Sequence, residues 1–330
     1  MYRCRHALWV AVFGWLWLPW VELGIASRQF AIAQTPPASN RELPDRKLDA
    51  DRLLEVGNQQ FLQGQWRQAL ATFQQVLAIR QALGDRVNEG RTLTAIGRVY
   101  HNLGDYPSAL TALQSALEIN RALADLQGEG VTLNELAIVH RKRSRYDDAI
   151  ALHQQALTAS RQVGDRLNQG RTLNDLGATY NSQGKFDQAL ETQKQALAIV
   201  QAIGDQVGEG RVFNALGAIY GNRGDYAQAL QFYQQSLTLR RKLGDRPGEA
   251  RVLGNMGAVY DGQGNYQQAQ VFYQQALGIQ RDIGDRAGEG LNLGNVGLAY
   301  SNLGQFTKAL EFYQQALVIA KEIDDQSRQA

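Results

Sequence analysis

The sequence predicts an all-α solenoid, and three observations carry that expectation. Aspartates recur every 40 residues, at Asp45, Asp85, Asp125, Asp165, Asp205, Asp245, Asp285 and Asp325. Between them apolar residues fall at steps of three and four, which is the period of a helix with one buried face. Pairs such as Gly224-Asp225 and Gly244-Asp245 then supply a helix-ending glycine followed by a helix-starting N-cap. Seven units fill residues 46–325: 46–85, 86–125, 126–165, 166–205, 206–245, 246–285 and 286–325. A repeat of this length exposes an apolar face that only a neighbouring repeat can cover.

Residues 1–33 stand outside the array. Arg3, Arg5 and His6 precede the uncharged apolar run Ala7 to Val21, and Ala31-Ile32-Ala33 follows. A basic start, an apolar core of about fifteen residues and an A-x-A site together predict a secretory signal, hence an exported protein, periplasmic or extracellular. Cleavage after Ala26 and an uncleaved anchor are the alternatives, although the run is shorter than the roughly 20 residues that a spanning helix needs. After cleavage no stable membrane insertion is expected. Taking away Arg3, Arg5, Arg28 and Glu22 leaves 31 basic and 31 acidic residues, a balance that argues against nucleic acid as a partner. The single cysteine, Cys4, goes with the leader, so neither disulfide nor thiol chemistry is expected of the array.

Residues 34–45, with Pro36, Pro37 and Pro44, are expected to be a linker. The first unit departs from the others. Asn58 and Gln60 replace the usual apolar and tyrosine residues while Phe61 and Leu62 add apolar surface, as suits a terminal cap. The fifth unit, residues 206–245, shows the pattern best. Phe213, Leu216, Gly217 and Tyr220 lie on one side of a first helix, and Tyr226, Ala229, Leu230, Tyr233 and Ser236 on one side of a second. Mid-helix glycine costs about 1 kcal/mol relative to alanine. The column Gly57, Gly97, Gly177, Gly217, Gly257 and Gly297 therefore predicts close approach of the partner helix. Ala69, Ala109, Ala149, Ala189, Ala229, Ala269 and Ala309 offer it a small matching surface.

An apolar residue, Leu-Gly-x-x-Tyr and then Ala-x-x-x-aromatic, met here by Phe213, Leu216, Gly217, Tyr220, Ala229 and Tyr233, resembles the tetratricopeptide repeat. The period of 40 in place of 34 is similar to the repeats of kinesin light chains, of the spindle-orientation scaffold LGN and of bacterial proteins joined to caspase-like CHAT domains. The resemblance implies a right-handed superhelix of seven helix-turn-helix repeats, with the side of the first helices opposite Leu216, Gly217 and Tyr220 lining a concave groove. It also implies binding of an extended peptide there, or tethering of a catalytic domain.

Stepping along that side gives Arg91, Arg98, Asn134, Arg141, Arg171, Asn174, Asn181, Arg211, Asn214, Asn222 and Arg251. Arginine presents a planar fork to carboxylates and asparagine both a donor and an acceptor to a peptide backbone, so the expected ligand is an acidic, extended protein segment. The alternative is that each arginine pairs with Glu89, Glu209, Glu249 or an aspartate of the next unit.

The third unit, 126–165, breaks the pattern with Ala124, Ala137 and Ser144 in glycine positions, His140 and His153 in tyrosine positions, and Arg141, Lys142, Arg143 and Arg145 at its turn. It reads either as a specialised acidic-partner contact with titrating histidines or as drift. Two histidines fall short of a metal site, and no metal or cofactor is expected. Phosphate-loop, zinc-protease and nucleophile motifs are absent, so no enzyme activity is expected. In the last unit Phe312, Tyr313, Ala316 and Ile319 predict an apolar end face, ahead of a short tail at 326–330. The sequence thus predicts a non-enzymatic binding scaffold. The alternatives are an accessory acting in trans on a CHAT-type protease and a homo-oligomer formed through the end repeats.

Overall fold

The computed structural model describes residues 43–328, with side chains for 46–323; the expected signal and most of the expected linker lie outside the described residues. Fourteen helices and no strand are found among them: α1 (Leu43–Leu62), α2 (Trp66–Ala82), α3 (Arg86–Asn102), α4 (Tyr106–Ala122), α5 (Leu126–Lys142), α6 (Tyr146–Gln162), α7 (Arg166–Ser182), α8 (Phe186–Ala202), α9 (Gln206–Arg223), α10 (Tyr226–Lys242), α11 (Arg246–Gly262), α12 (Tyr266–Ile283), α13 (Arg286–Asn302) and α14 (Phe306–Arg328). Each odd helix packs on the even helix that follows, and each pair on the next pair, which makes the chain an α-solenoid of seven units. Two edges differ from expectation. Helix α1 begins at Leu43, with Pro44 in the first turn where its missing N–H costs nothing, and α14 runs on to Arg328 through most of the expected tail.

The punctuation works as the sequence predicts. Gly224 adopts φ 83° after α9, where a Cβ would be strained. Asp225 N–H then bonds the Tyr220 carbonyl at 2.9 Å, and the Asp225 carboxylate accepts from Gln228 N–H at 3.2 Å to start α10. Between units, Asp85, Asp125, Asp165, Asp205, Asp245 and Asp285 cap in the same way. Ala124 and Ser144 stand at φ 53° and 59°, so the junction leading into the third unit and the turn within it keep their form without glycine. Ion pairs strap the junctions: Arg121–Glu129 and Arg281–Glu289 at 2.8 Å, and Arg241–Glu249 at 2.9 Å.

The close approach at the glycine column has a different partner from the expected one. The alanine column is buried, but a Cβ on Gly217 would lie 2.7 Å from the Tyr233 ring, and one on Gly257 2.6 Å from that of Tyr273. Each glycine is thus a seat for the side chain one turn beyond the alanine. Tyr220 and Phe232 stack beside it at 5.4 Å, as do Tyr260 and Phe272 at 5.2 Å.

The two ends are finished differently. Where interior units bury Val212 and Ile219, α1 carries exposed Arg52 and Gln59. Of the residues expected at the last face, Ile319 is buried and Phe312 and Ala316 are half-buried. The exposed stripe is Phe306, Leu310, Tyr313 and Leu317. Tyr313 is 40% and Leu317 54% exposed, against 4% and 3% for Tyr233 and Leu237 in the same columns, which measures what one neighbouring unit covers.

Candidate peptide-binding groove

Successive odd helices touch one another from α3 to α11, whereas the even helices keep further apart. The odd helices therefore form the tighter, inner layer. A face of α3, α7, α9 and α11 presents Arg91, Arg171, Arg211 and Arg251 at one position per unit, all exposed and none in an ion pair among the described residues. The glutamates expected to neutralise them are engaged elsewhere: Glu89 with Arg86 at 2.7 Å, Glu249 with Arg241 and Arg246, and Glu209 with the Gln201 amide at 2.7 Å. Arg211 is crowded as well as exposed. Desolvation and the guanidinium groups of Arg171 and Arg240 hold its pKa down, with Asp175 opposing.

The remaining expected residues are more tied to their neighbours. Arg98 lies 5.0 Å over the Phe61 ring and 3.2 Å from Glu135. Asn134 is buried, donating to Asp175 at 2.9 Å and sharing a 2.8 Å bond with His153 Nδ1. Asn174 donates to Asp175 at 3.4 Å, Asn222 to Asn181 at 3.0 Å, and Asn255 to Asn214 at 2.9 Å. Arg141 is half-buried, and its Nε meets no hydrogen-bond partner. The asparagines thus form a ladder between successive odd helices, and the arginines stand beside it as the free donors.

Two groove residues were missed. Glu135 and Asp175 lie one position beyond the asparagines, so the groove is not uniformly basic. Burial pushes the Glu135 pKa up to about 7, with Arg98 and Arg171 opposing and Asp175 adding; burial likewise raises Asp175, with the Asn134 hydrogen bond, Arg141 and Arg211 opposing. The column Glu55, Ala95, Glu135, Asp175, Ala215, Asn255 and Asn295 was the available signal. His153 is fully buried between Asn134 and Thr179, and its pKa is pushed down to about 3 by burial and Arg141. It is a packed, neutral histidine.

Two profiles, both described as Tetratricopeptide repeat, match residues 49–122, 129–202, 209–282 and 293–327. The chain belongs to the tetratricopeptide repeat family. Among solved structures, this tetratricopeptide array is similar to a Rap protein complexed with Competence and Sporulation Factor (TM-score 0.69, 17% identity, covering 84% of this chain and 77% of that one). It is also similar to the Rap conjugation gene regulator of plasmid pLS20 in complex with the Phr* peptide (TM-score 0.69, 16% identity, 90% and 81%). A third is BtubC from P. vanneervenii (TM-score 0.55, 22% identity, 65% and 91%). Identities this low establish a shared fold. No curated protein sequence matches the array.

Proposed function

We propose that the protein is a non-enzymatic scaffold, exported from the cytoplasm, that holds an extended acidic peptide segment along its inner layer of helices. The observation that carries this reading is the column of exposed, unpaired guanidinium groups on α3, α7, α9 and α11. A guanidinium fork that is engaged in no ion pair is available to a carboxylate from outside. The pLS20 regulator of similar fold, solved with a peptide, supports a peptide as the class of ligand.

The test uses a fluorescein-labelled octaglutamate peptide, with octaglutamine as control, and reads anisotropy. The wild type is expected to bind octaglutamate alone, with affinity falling as salt rises. A variant with Arg91, Arg171, Arg211 and Arg251 all changed to Glu is expected to lose that binding. Equal binding by both proteins would move the working surface away from the groove.

A further inference from the structure

The seventh unit carries apolar surface that the other six do not. Of the nineteen large apolar residues exposed among the described residues, eight lie between Leu291 and Ile323, against one to three in each earlier unit. Four of them, Phe306, Leu310, Tyr313 and Leu317, fall at steps of four, three and four along α14, the spacing of a seam that faces another helix. In the interior the same columns are covered by the odd helix of the following unit: Tyr233 and Leu237 pack in one cluster with Val252, Met256 and Val259 of α11. Phe306 is 69% and Leu310 57% exposed, whereas Tyr226 and Leu230 at those positions are half-buried. The seam is made of the residues that a neighbour covers everywhere else. Nor does α14 shield it, since the helix continues to Arg328 instead of turning back.

Two surfaces of this chain could meet the seam of another copy, and they are not equivalent. The first is the outer face of α1, which would continue the stack head to tail. In the columns of Val252, Met256 and Val259 that face holds Arg52, Val56 and Gln59, all exposed. Docking it would press a guanidinium group and an amide onto Phe306, Leu310, Tyr313 and Leu317 and strip both of water with no polar partner in the seam. A head-to-tail contact would also repeat without closing. The second surface is the seam itself. Two copies of α14 meeting about a two-fold axis set apolar against apolar, and the contact closes after two chains. Full cover of the four residues takes on the order of 400 Å² of apolar surface per copy out of water. That is half of the roughly 800 Å² per partner in a stable interface, leaving the other half to a polar rim, for which exposed Thr307, Gln314 and Lys321 stand beside the seam.

We propose that a second copy of this chain covers the seam: the protein is a homodimer joined by α14 against α14, with α1 of each copy left free. The inference stands apart from the peptide reading, since none of the groove arginines lies on α14. Its consequence is a particle with two grooves, so a ligand that carries two acidic segments gains by engaging both copies.

The experiment is sedimentation equilibrium of the protein over about 1–100 μM. The wild type is expected to reach the mass of a dimer within that range. Leu310→Glu with Leu317→Glu, both at exposed positions, is expected to keep the helicity of the wild type and to weaken association about a hundredfold. Val56→Glu, on α1, is expected to leave the dimer intact. With Cys4→Ser, Gln314→Cys treated with a short bismaleimide is expected to give a covalent dimer, because the two-fold contact brings α14 of one copy to α14 of the other. If the double variant perturbs folding, that crosslink decides. A wild type that stays monomeric would overturn the proposal and leave the seam to a different protein, and so would a dimer that survives the double variant. Loss of the dimer in Val56→Glu would overturn it as well and move the contact to α1, head to tail.

Discussion

The third and fifth units share a backbone and differ in what fills it. In the fifth, Gly217 leaves a seat that the Tyr233 ring occupies, and Gly224 turns the chain at φ 83°. In the third, Ala137 narrows that seat and the smaller His153 fills it, held by Asn134 and Thr179, while Ser144 turns the chain at φ 59°. A glycine facing a large ring and an alanine facing a smaller one are two solutions to one packing problem. The turn has no such second solution, because a left-handed backbone disfavours any Cβ whatever surrounds it. Packing positions in this array vary together, whereas turn positions vary at a cost.

The largest effect is expected from closing the seat in the fifth unit. Gly217→Leu puts a side chain where even a Cβ comes within 2.7 Å of the Tyr233 ring. It should destabilise the protein by about 1–3 kcal/mol through overpacking, read from urea unfolding. An unchanged midpoint would mean that the seat is not tight.

Next is the response to pH below 8, which the third unit has at these positions and the fifth, with Ala215 and Tyr233 there, does not. Burial raises Glu135 from 4.5 to about 7, so its contribution favours the fold below the unfolded value and is lost as pH rises through about 7. Glu135→Gln should therefore melt higher than wild type at pH 8 and lose that advantage near pH 5. His153 has the opposite sign: burial lowers it from 6.5 to about 3, so its contribution is present above 6.5 and is lost as pH falls toward 3. A melting profile in which Glu135→Gln tracks the wild type at every pH would remove Glu135 from the desolvated groove floor.

The smallest effect sharpens the comparison at the turn. Ser144→Gly should stabilise by about 1 kcal/mol, because the serine holds a left-handed backbone that glycine adopts freely. Its urea midpoint should move above that of the wild type, and a lower midpoint would show that the Ser144 side chain contributes more than its strain costs.

Much of the fold was legible because it rests on residue types with one structural use. Glycine before the cap, aspartate at the cap and the helical step of the apolar residues place each element to within a few residues. The groove was only partly legible. Arg91, Arg171, Arg211 and Arg251 emerge as free groups because a position repeated every unit keeps its orientation in a solenoid. Asn134 could not be foreseen as buried, since its amide is occupied by His153 from its own unit and Asp175 from the next, a meeting of three helices. Glu135 and Asp175 escaped notice because acids and alanines alternate in their column without a periodic rule.

Because each pair of helices touches only its immediate neighbours, the chain can be cut and rejoined between units with every remaining contact intact. Inserting a copy of residues 206–245 after Asp245 would therefore do more than lengthen the array. It would add one more exposed arginine to the column, and turn that column into a ruler whose spacing is the height of one repeat.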